Sequence, residues 1–446
     1  MIAILALMLL QVPTAAEPRR PLTPADALFT IRDVIGRSVR VRDMDGDGLD
    51  DLVIERRARG PDGRKIAGQE HSRALDRLDL MSSKRGALIR TLWRVDKQHP
   101  RPSCWDVIAA TGTNGPPELA LAFCGEGSGS GRVVIVGCET AHTRLELRPE
   151  SKDESFGSAI ASVGDLDGDG GCDFATWLGP RTSEPGFVCA RSGLDGRVIW
   201  RGRCHHPGNG LGVDLHSIPD RNGDGVPDVL ARCDAWVKEP VSILSGRDGS
   251  EIEEFASRGG AATPAGDLDG DGVCDLLLDN IDPDGSARLN DVWLVSGATQ
   301  KQICSFPYPD FWSEYGVTVA LGDVDGDGVS DIGLGEANFN LCGPGNPGYK
   351  EKDKIDLRPL TLAQAAKLES QPWCAFTWES GCAVVYSGRT HELIWGAWAQ
   401  PGTRRGLGLQ MATMPDVNGD GLPELMVTDE DIAYVFAGPG RSASTK

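Results

Sequence analysis

The hydrophobic residues of this chain fall in short runs, with no long stretch of helical period. Six runs share a form: DLVI from Asp51, DFAT from Asp173, DVLA from Asp228, DLLL from Asp275, DIGL from Asp331 and ELMV from Glu424. Four to six residues, apolar or β-branched at consecutive positions, suit a strand buried on both faces. A second pattern follows each run: an apolar stretch, a turn and another apolar stretch, as in GFVCARSGLDGRVIW ending at Trp200 and CAVVYSGRTHELIW ending at Trp395. This predicts β-hairpins. Further copies end at Trp93, Leu147, Phe255 and Phe306, and a shortened one, IAYVFAGPG, begins at Ile432. The seven turns lie near residues 83, 137, 192, 245, 296, 387 and 437. Their spacing is about 50 residues, with one step widened by about 40, which is the signature of a repeat architecture.

Immediately before the six apolar runs stands D-x-[DN]-G-D-G-x-x-[DE]. Alternate oxygens on a tightly curled loop suit a hard cation such as Ca²⁺, which takes six to eight oxygen ligands, and glycines supply the positive φ that the curl needs. Positions 1, 3, 5 and 9 would give side-chain oxygens and position 7 a main-chain carbonyl. The ligands expected in the first loop are Asp43, Asp45, Asp47, Leu49 and Asp51; in the second, Asp165, Asp167, Asp169, Gly171 and Asp173. In the third they are Asp220, Asn222, Asp224, Val226 and Asp228; in the fourth, Asp267, Asp269, Asp271, Val273 and Asp275. The fifth has Asp323, Asp325, Asp327, Val329 and Asp331, and the sixth Asp416, Asn418, Asp420, Leu422 and Glu424. Asn222, Asn418 and Glu424 depart from the all-Asp pattern, so the third and sixth loops are expected to bind more weakly. An EF-hand would require a bidentate Glu at position 12. Here that position holds Ile54, Thr176, Ala231, Leu278, Leu334 and Val427, which excludes it. Before the hairpin at Arg132 the chain reads ATGTNGPPELALAF, with the turn and strand in register but the acids gone. No calcium is expected there.

The loops, the small-residue motifs Phe156-Gly157-Ser158 and Tyr315-Gly316-Val317, and the period resemble the FG-GAP (VCBS) repeats of integrin α-chain-like β-propellers. That resemblance covers residues 28–440. It implies an all-β, seven-bladed β-propeller with calcium loops in six blades, and closure removes exposed sheet edges. Leu28-Phe29-Thr30-Ile31 precedes the first repeat and the last hairpin lacks an outer strand, so the N-terminal strand should complete the seventh blade. The resemblance further implies about six structural calcium ions and a noncatalytic role in adhesion or in protein or glycan interaction. No catalytic residue is assigned. The alternative is a propeller enzyme, either a polysaccharide lyase or a quinoprotein-like oxidoreductase, since SGLDGRVIW also resembles quinoprotein hairpins. Against the quinoprotein stand the interleaved acidic loops and the absence of an adjacent Cys pair.

Composition adjusts this picture. The 57 glycines and 28 prolines favour turns over long helices. A formal charge of −20 excludes nucleic acid as a natural partner, although six divalent ions would offset more than half of it. Residues 1–16, uncharged and apolar before Thr14-Ala15-Ala16, read as a secretory signal, with a linker over 17–27 and a tail over 441–446. The mature protein is thus expected outside the cell or in the periplasm, without membrane insertion. In an exported chain twelve cysteines point to disulfides, with Cys124–Cys138 and Cys172–Cys189 favoured by spacing and Cys342–Cys374 placed to tether an insertion over 337–379. That insertion, in the sixth blade, is the expected partner site. Trp93, Trp200 and Trp395 recur at one blade position and should pack between blades. Trp105, Trp177, Trp236, Trp312, Trp373 and Trp378 are less regular and are candidates for a binding face, whereas His205-His206 reads as an exposed loop pair. No G-x-S-x-G elbow occurs.

Overall fold

A computed structural model of the chain describes residues 22–57, 76–108, 115–124, 131–149, 154–180, 187–202, 214–232, 241–256, 259–281, 289–307, 316–336, 381–399, 406–429 and 431–440. The expected signal segment, most of the expected linker, the tail, the insertion, Cys342, Cys374, His205, His206, Trp236, Trp312, Trp373 and Trp378 lie outside them. Each acidic loop is followed by a strand. In the first repeat β2 (Val34–Val41) leads into the loop, β3 (Asp51–Arg56) leaves it, and β4 (Arg77–Met81) and β5 (Leu88–Arg94) form the hairpin. They pair in the order β2-β3-β4-β5, antiparallel throughout.

Five further four-stranded sheets repeat that order, with inner strands β6 (Cys104–Ile108), β10 (Glu154–Gly164), β14 (Asp214–Ile218), β18 (Gly259–Gly266) and β22 (Gly316–Gly322). The seventh sheet holds β26 (Gln410–Met414), β27 (Glu424–Thr428) and β28 (Ile432–Phe436). Its fourth strand is β1 (Phe29–Arg32), which pairs antiparallel with β28 from Phe29 opposite Val435 to Arg32 opposite Ile432. Leu22, just before it, takes a hydrogen bond from the amide of Trp398 at 2.9 Å and gives one to the carbonyl of Gly396, so part of the expected linker adds to the edge of the sixth blade.

Why the second strand of each blade is apolar at consecutive positions follows from its two neighbours. Successive side chains point to opposite faces. In β3 Val53 packs with Trp105, Leu119 and Phe123 of the second blade, while Leu52 and Ile54 pack with Met414, Met426 and Val435 of the seventh. The fourth blade does the same, with Val229 and Ala231 against the third and Leu230 against the fifth. Seven such clusters form seven interfaces between successive blades, and the one between the seventh and first closes the ring. This is an all-β, seven-bladed propeller. No helix among the described residues is long and apolar enough to cross a membrane.

The hairpin turns put one residue in the left-handed region before the outer strand resumes with a one-residue shift in register. It is Gly86 (φ 58°), Gly196 (φ 77°) and Gly249 (φ 73°) in three blades, but Ala141 (φ 56°), Gln300 (φ 56°) and His391 (φ 60°) in three others. A turn closed by such a residue and a bulge is a common short hairpin connection. A non-glycine residue thus takes the left-handed conformation in three of the turns.

Cysteine pairing by spacing is corrected here. Cys124 follows the end of β7 (Glu118–Phe123) beside Arg132, whereas Cys138 follows Gly137, opposite Glu118, at the far end of the same strand pair. Cys189 lies opposite Thr176, and Cys172 lies beyond Phe174, which is opposite Arg191. At about 3.3 Å per residue each pair is separated well beyond the 4.4–6.8 Å between Cα atoms that a bridge needs. Neither pair is bridged, and no disulfide joins the described cysteines.

Candidate metal centres

All six acidic loops curl in the same way. The position 1 carboxylate accepts the amides of the glycines at positions 4 and 6. For Asp43 these are Gly46 at 2.7 Å and Gly48 at 2.8 Å, and for Asp416 Gly419 at 2.6 Å and Gly421 at 2.8 Å. Those two glycines have positive φ in every loop, from 76° at Gly168 to 92° at Gly421. No atom lies within 4 Å of where a Cβ would stand on Gly46, Gly48, Gly270 or Gly272, so backbone conformation, not crowding, demands glycine there. Oδ1 at position 3 accepts the position 5 amide, and Oδ1 at position 5 accepts the position 7 amide. In the fifth loop Asp325 takes Asp327 at 3.1 Å and Asp327 takes Val329 at 2.8 Å. Three side chains, all acids in four loops and two acids with an Asn in the others, are therefore held on one small curl by the main chain they belong to.

The position 9 acid ties this curl to the blade. Asp51, Asp173, Asp228, Asp275, Asp331 and Glu424 are all fully buried. Each accepts the position 2 amide, as Asp331 does from Val324 at 2.9 Å, and each of the five aspartates also takes an amide of the hairpin turn, Gly388 at 3.0 Å for Asp331. Burial, with the neighbouring loop acids adding to it, raises all six carboxyls, Asp173 and Asp331 to about 6. Asp43 is moved the other way, chiefly by the Gly48 amide.

Oxygens of positions 1, 3 and 9 converge within 4.8 Å in three loops: Asp43 with Asp45 and Asp51, Asp165 with Asp167 and Asp173, and Asp323 with Asp325 and Asp331. In the fourth loop the converging set is Asp267, Asp269 and Asp271. The loops with Asn222 and Asn418 form no such set among the described residues. There the Asn418 side-chain amide donates to Asp420 at 3.1 Å, spending an oxygen that would otherwise face the loop centre. Asp47 offers the clearest test of fit to a cation. Its Oδ2 is buried and has no hydrogen-bond partner among the described residues. A carboxylate oxygen left so is costly unless a cation meets it.

Arginines of the following hairpin lean on three loops. Arg197 reaches Asp167 at 2.8 Å, Arg247 reaches Asp224 at 3.3 Å and Arg389 reaches Asp327 at 3.1 Å. In the second blade, whose acids are missing, Glu118 occupies the position 9 place. Arg144 holds it with a bidentate pair at 2.5 and 2.6 Å and also donates to the carbonyls of Gly193 and Leu194 in the third blade. A guanidinium thus serves the blade that has no acidic loop. Motif reading passed over Arg144, because it sits far from Glu118 in sequence.

The tryptophan expectations divide. Trp93, Trp200 and Trp395 are buried between blades; Trp93 meets Phe123 with ring centroids 5.7 Å apart and Trp395 meets Phe436 at 5.5 Å. Trp105 and Trp177, candidates for a binding face, are only 3% and 5% exposed, and Trp105 also lines the cavity on the propeller axis. Both lie within the inter-blade clusters, and Trp177 does not line the axial cavity.

The sequence patterns also missed a polar group near the axis. Arg37 on β2 pairs with Asp106 on β6 at 2.9 Å, and Asp106 accepts the Ser162 amide on β10 at 2.9 Å. Asp214 on β14 pairs with Arg232 at 2.6 Å. Asp279, which burial pushes up to about 6, accepts the Thr318 hydroxyl at 2.7 Å. These residues stand in seven different strands and share no motif.

No family model matches the chain. Among solved structures it is similar to Sqt1 of Saccharomyces cerevisiae, with 9% identity and a TM-score of 0.47 over 88% of this chain and 82% of that one.

Proposed function

We infer that the protein is an exported propeller of the FG-GAP kind, stiffened by calcium, that acts without catalysis as an adhesion or protein and glycan interaction module outside the cytoplasm. The observation that carries the calcium reading is the buried, unpartnered Oδ2 of Asp47 within a curl that recurs six times. In each loop the side chains at positions 1, 3, 5 and 9 and the carbonyl at position 7 would hold the ion. The acids already fixed by main-chain amides would need little rearrangement. Calcium would supply positive charge that lets buried carboxyls ionise together, and its binding free energy would add to folding stability. The two loops carrying Asn would bind more weakly.

An interaction role is supported by the fold's division of labour. The blades form a rigid ring, and the long insertion of the sixth blade leaves between β23 (Asp331–Glu336) and β24 (Cys382–Tyr386), where it can vary without disturbing the core. Two measurements test the reading. Calcium stoichiometry with thermal unfolding, on chelated and reloaded protein, should give about six ions and a large rise in melting temperature; one ion or none sinks the calcium part. A glycan array beside a lyase assay for unsaturated product then separates interaction from catalysis, and turnover would replace the noncatalytic reading with the polysaccharide-lyase one.

A further inference from the structure

On the propeller axis lies a cavity of about 730 Å³, lined by residues of all seven inner strands, from Arg37 on β2 to Thr413 on β26. That volume is in the range of small-molecule sites. Every propeller has an axial opening, so the question is whether this one is built for something.

The repeat provides its own control. Residues paired with loop position 11 on the second strand occupy one layer of the ring. They are Val39, Asp106, Ala161, His216, Thr263, Val319 and Ala412. Alanine or valine at four of these positions shows what the scaffold alone requires. Asp106 and His216 go beyond it. Two residues earlier the ring has Ala159 and Val317 in two blades but Arg37, Asp214 and Gln410 in others, all lining the cavity. Charged and polar groups here bring a desolvation penalty that the Ala and Val blades avoid. Ring closure does not need them.

The charges cancel. Arg37 is paired with Asp106, Arg40 with Asp50 at 2.7 Å, and Arg232, behind the wall, with Asp214. Among the described residues no unpaired positive charge lines the cavity to draw an anion. Trp105, the one aromatic ring residue besides His216 among the described lining, is 3% exposed and its face is covered by the Arg37 guanidinium at 5.5 Å, which leaves little room for a quaternary amine. The lining carries hydrogen-bonding groups of both kinds: the hydroxyls of Ser38, Ser217 and Thr413, the Gln410 amide, and the His216 imidazole. His216 has no hydrogen-bond partner among the described residues and lies within electrostatic reach of Asp214 and Asp106. Burial lowers the pKa of that imidazole and so favours its neutral form, which donates at one nitrogen and accepts at the other. Among the described residues these side chains do not converge as the loop acids do, which rules against a metal.

We propose that the axial cavity binds a neutral saccharide of one or two units, whose hydroxyls, each both donor and acceptor, match the charge-paired Arg37, Asp106 and Asp214 and the imidazole of His216. This deepens the interaction reading by placing a glycan subsite on the axis.

The test is ligand-observed saturation-transfer NMR on the calcium-loaded protein. The probes are glucose, galactose, mannose, fucose, xylose, maltose and cellobiose, with glucuronate and glucosamine as charged counterparts. Two variants accompany it: His216→Ala, which installs the residue that two other blades carry in this layer, and Thr413→Trp, which fills the cavity from another strand. Calcium-dependent melting is recorded on every sample, so loss of the fold or failure of the calcium reading is seen separately from loss of sugar binding. Transfer to at least one neutral sugar, reduced tenfold or more in both variants while melting is retained, is the expected result. Absence of transfer to every neutral sugar in well-folded protein, transfer to the charged sugars alone, or transfer undiminished in both variants overturns the proposal.

Discussion

The indole Nε1–H of Trp200, on the outer strand of the third blade, donates to the carbonyl of Gly246 in the hairpin turn of the fourth at 2.6 Å. The ring also lies against Gly249, where a Cβ would stand 2.4 Å from the indole. One side chain thus joins two blades by a hydrogen bond and by packing. Trp200→Phe keeps most of the packing but strands a buried carbonyl, and should cost about 1–3 kcal/mol. Trp200→Ala opens a cavity as well and should cost about 3–5 kcal/mol. Urea unfolding in saturating calcium checks both, and equal losses in the two variants would show that the hydrogen bond, not the ring, holds the interface.

Arg144 makes the corresponding bond between the second and third blades, and it does so with charge. Its pair with Glu118 is partly buried, with side-chain exposures of 36% and 15%. Arg144→Met should cost about 1–3 kcal/mol, less than a fully buried pair would lose. The double variant with Glu118→Gln should recover part of that, giving a coupling of at least about 0.5 kcal/mol in a mutant cycle. Additive losses would mean that the bonds to the Gly193 and Leu194 carbonyls carry the whole effect.

How much of this was legible follows from what repeats. The loop motif, the doubly buried second strand and the turn each occur six or seven times, so the blade and its number stand out against any one irregular copy. The turns at Gln300 and His391 were legible from the Ser-Gly that opens them, although their left-handed residue is not glycine, whereas the turn at Ala141 lacks that Ser-Gly. Cysteine spacing misled for a geometric reason: two residues about 15 apart across a hairpin face each other only when the turn is centred between them, and Cys124 and Cys138 sit at opposite ends of their strands. Sequence has no device for the axial group. Arg37, Asp106 and His216 meet because ring closure brings separate blades to one axis, and each alone reads as an ordinary polar residue near a strand.

Asp279 gives the molecule a pH signature away from the acidic loops. Its carboxyl is pushed from 3.8 up to about 6, first by burial; the Thr318 hydroxyl, the Ala261 amide and the charge of Arg232 oppose the shift, and the charge of Asp214 adds to it. Because the folded value lies above the unfolded one, the contribution is fully present below pH about 3.8 and is lost as pH rises through about 6. A shift of roughly two units corresponds to about 3 kcal/mol. Relative to the parent, Asp279→Asn should therefore be least stable near pH 4 and should gain steadily up to pH 7. Unfolding free energies at four pH values decide it; a difference independent of pH would show that Asp279 titrates as it does in the unfolded chain.

Calcium binding should follow the carboxylates loop by loop. The first loop has four acids and leaves Asp47 Oδ2 buried without a partner, whereas the sixth has three acids and turns the Asn418 amide onto Asp420. Titration calorimetry should therefore resolve about four tighter sites and about two weaker ones, the latter belonging to the loops from Asp220 and Asp416. Asp47→Asn should remove one tight site without disturbing the curl, because the bond from the Leu49 amide needs only the oxygen that Asn retains. A single site half-saturated at a hundredth of the free calcium adds about 2.7 kcal/mol, so the variant should melt lower than the parent in calcium and level with it, or slightly above it, after chelation. That last comparison discriminates. If the acids serve only to cap their own loop amides, Asp47→Asn changes neither the stoichiometry nor the calcium-induced rise in melting temperature; if they hold an ion, the parent exceeds the variant only when calcium is present.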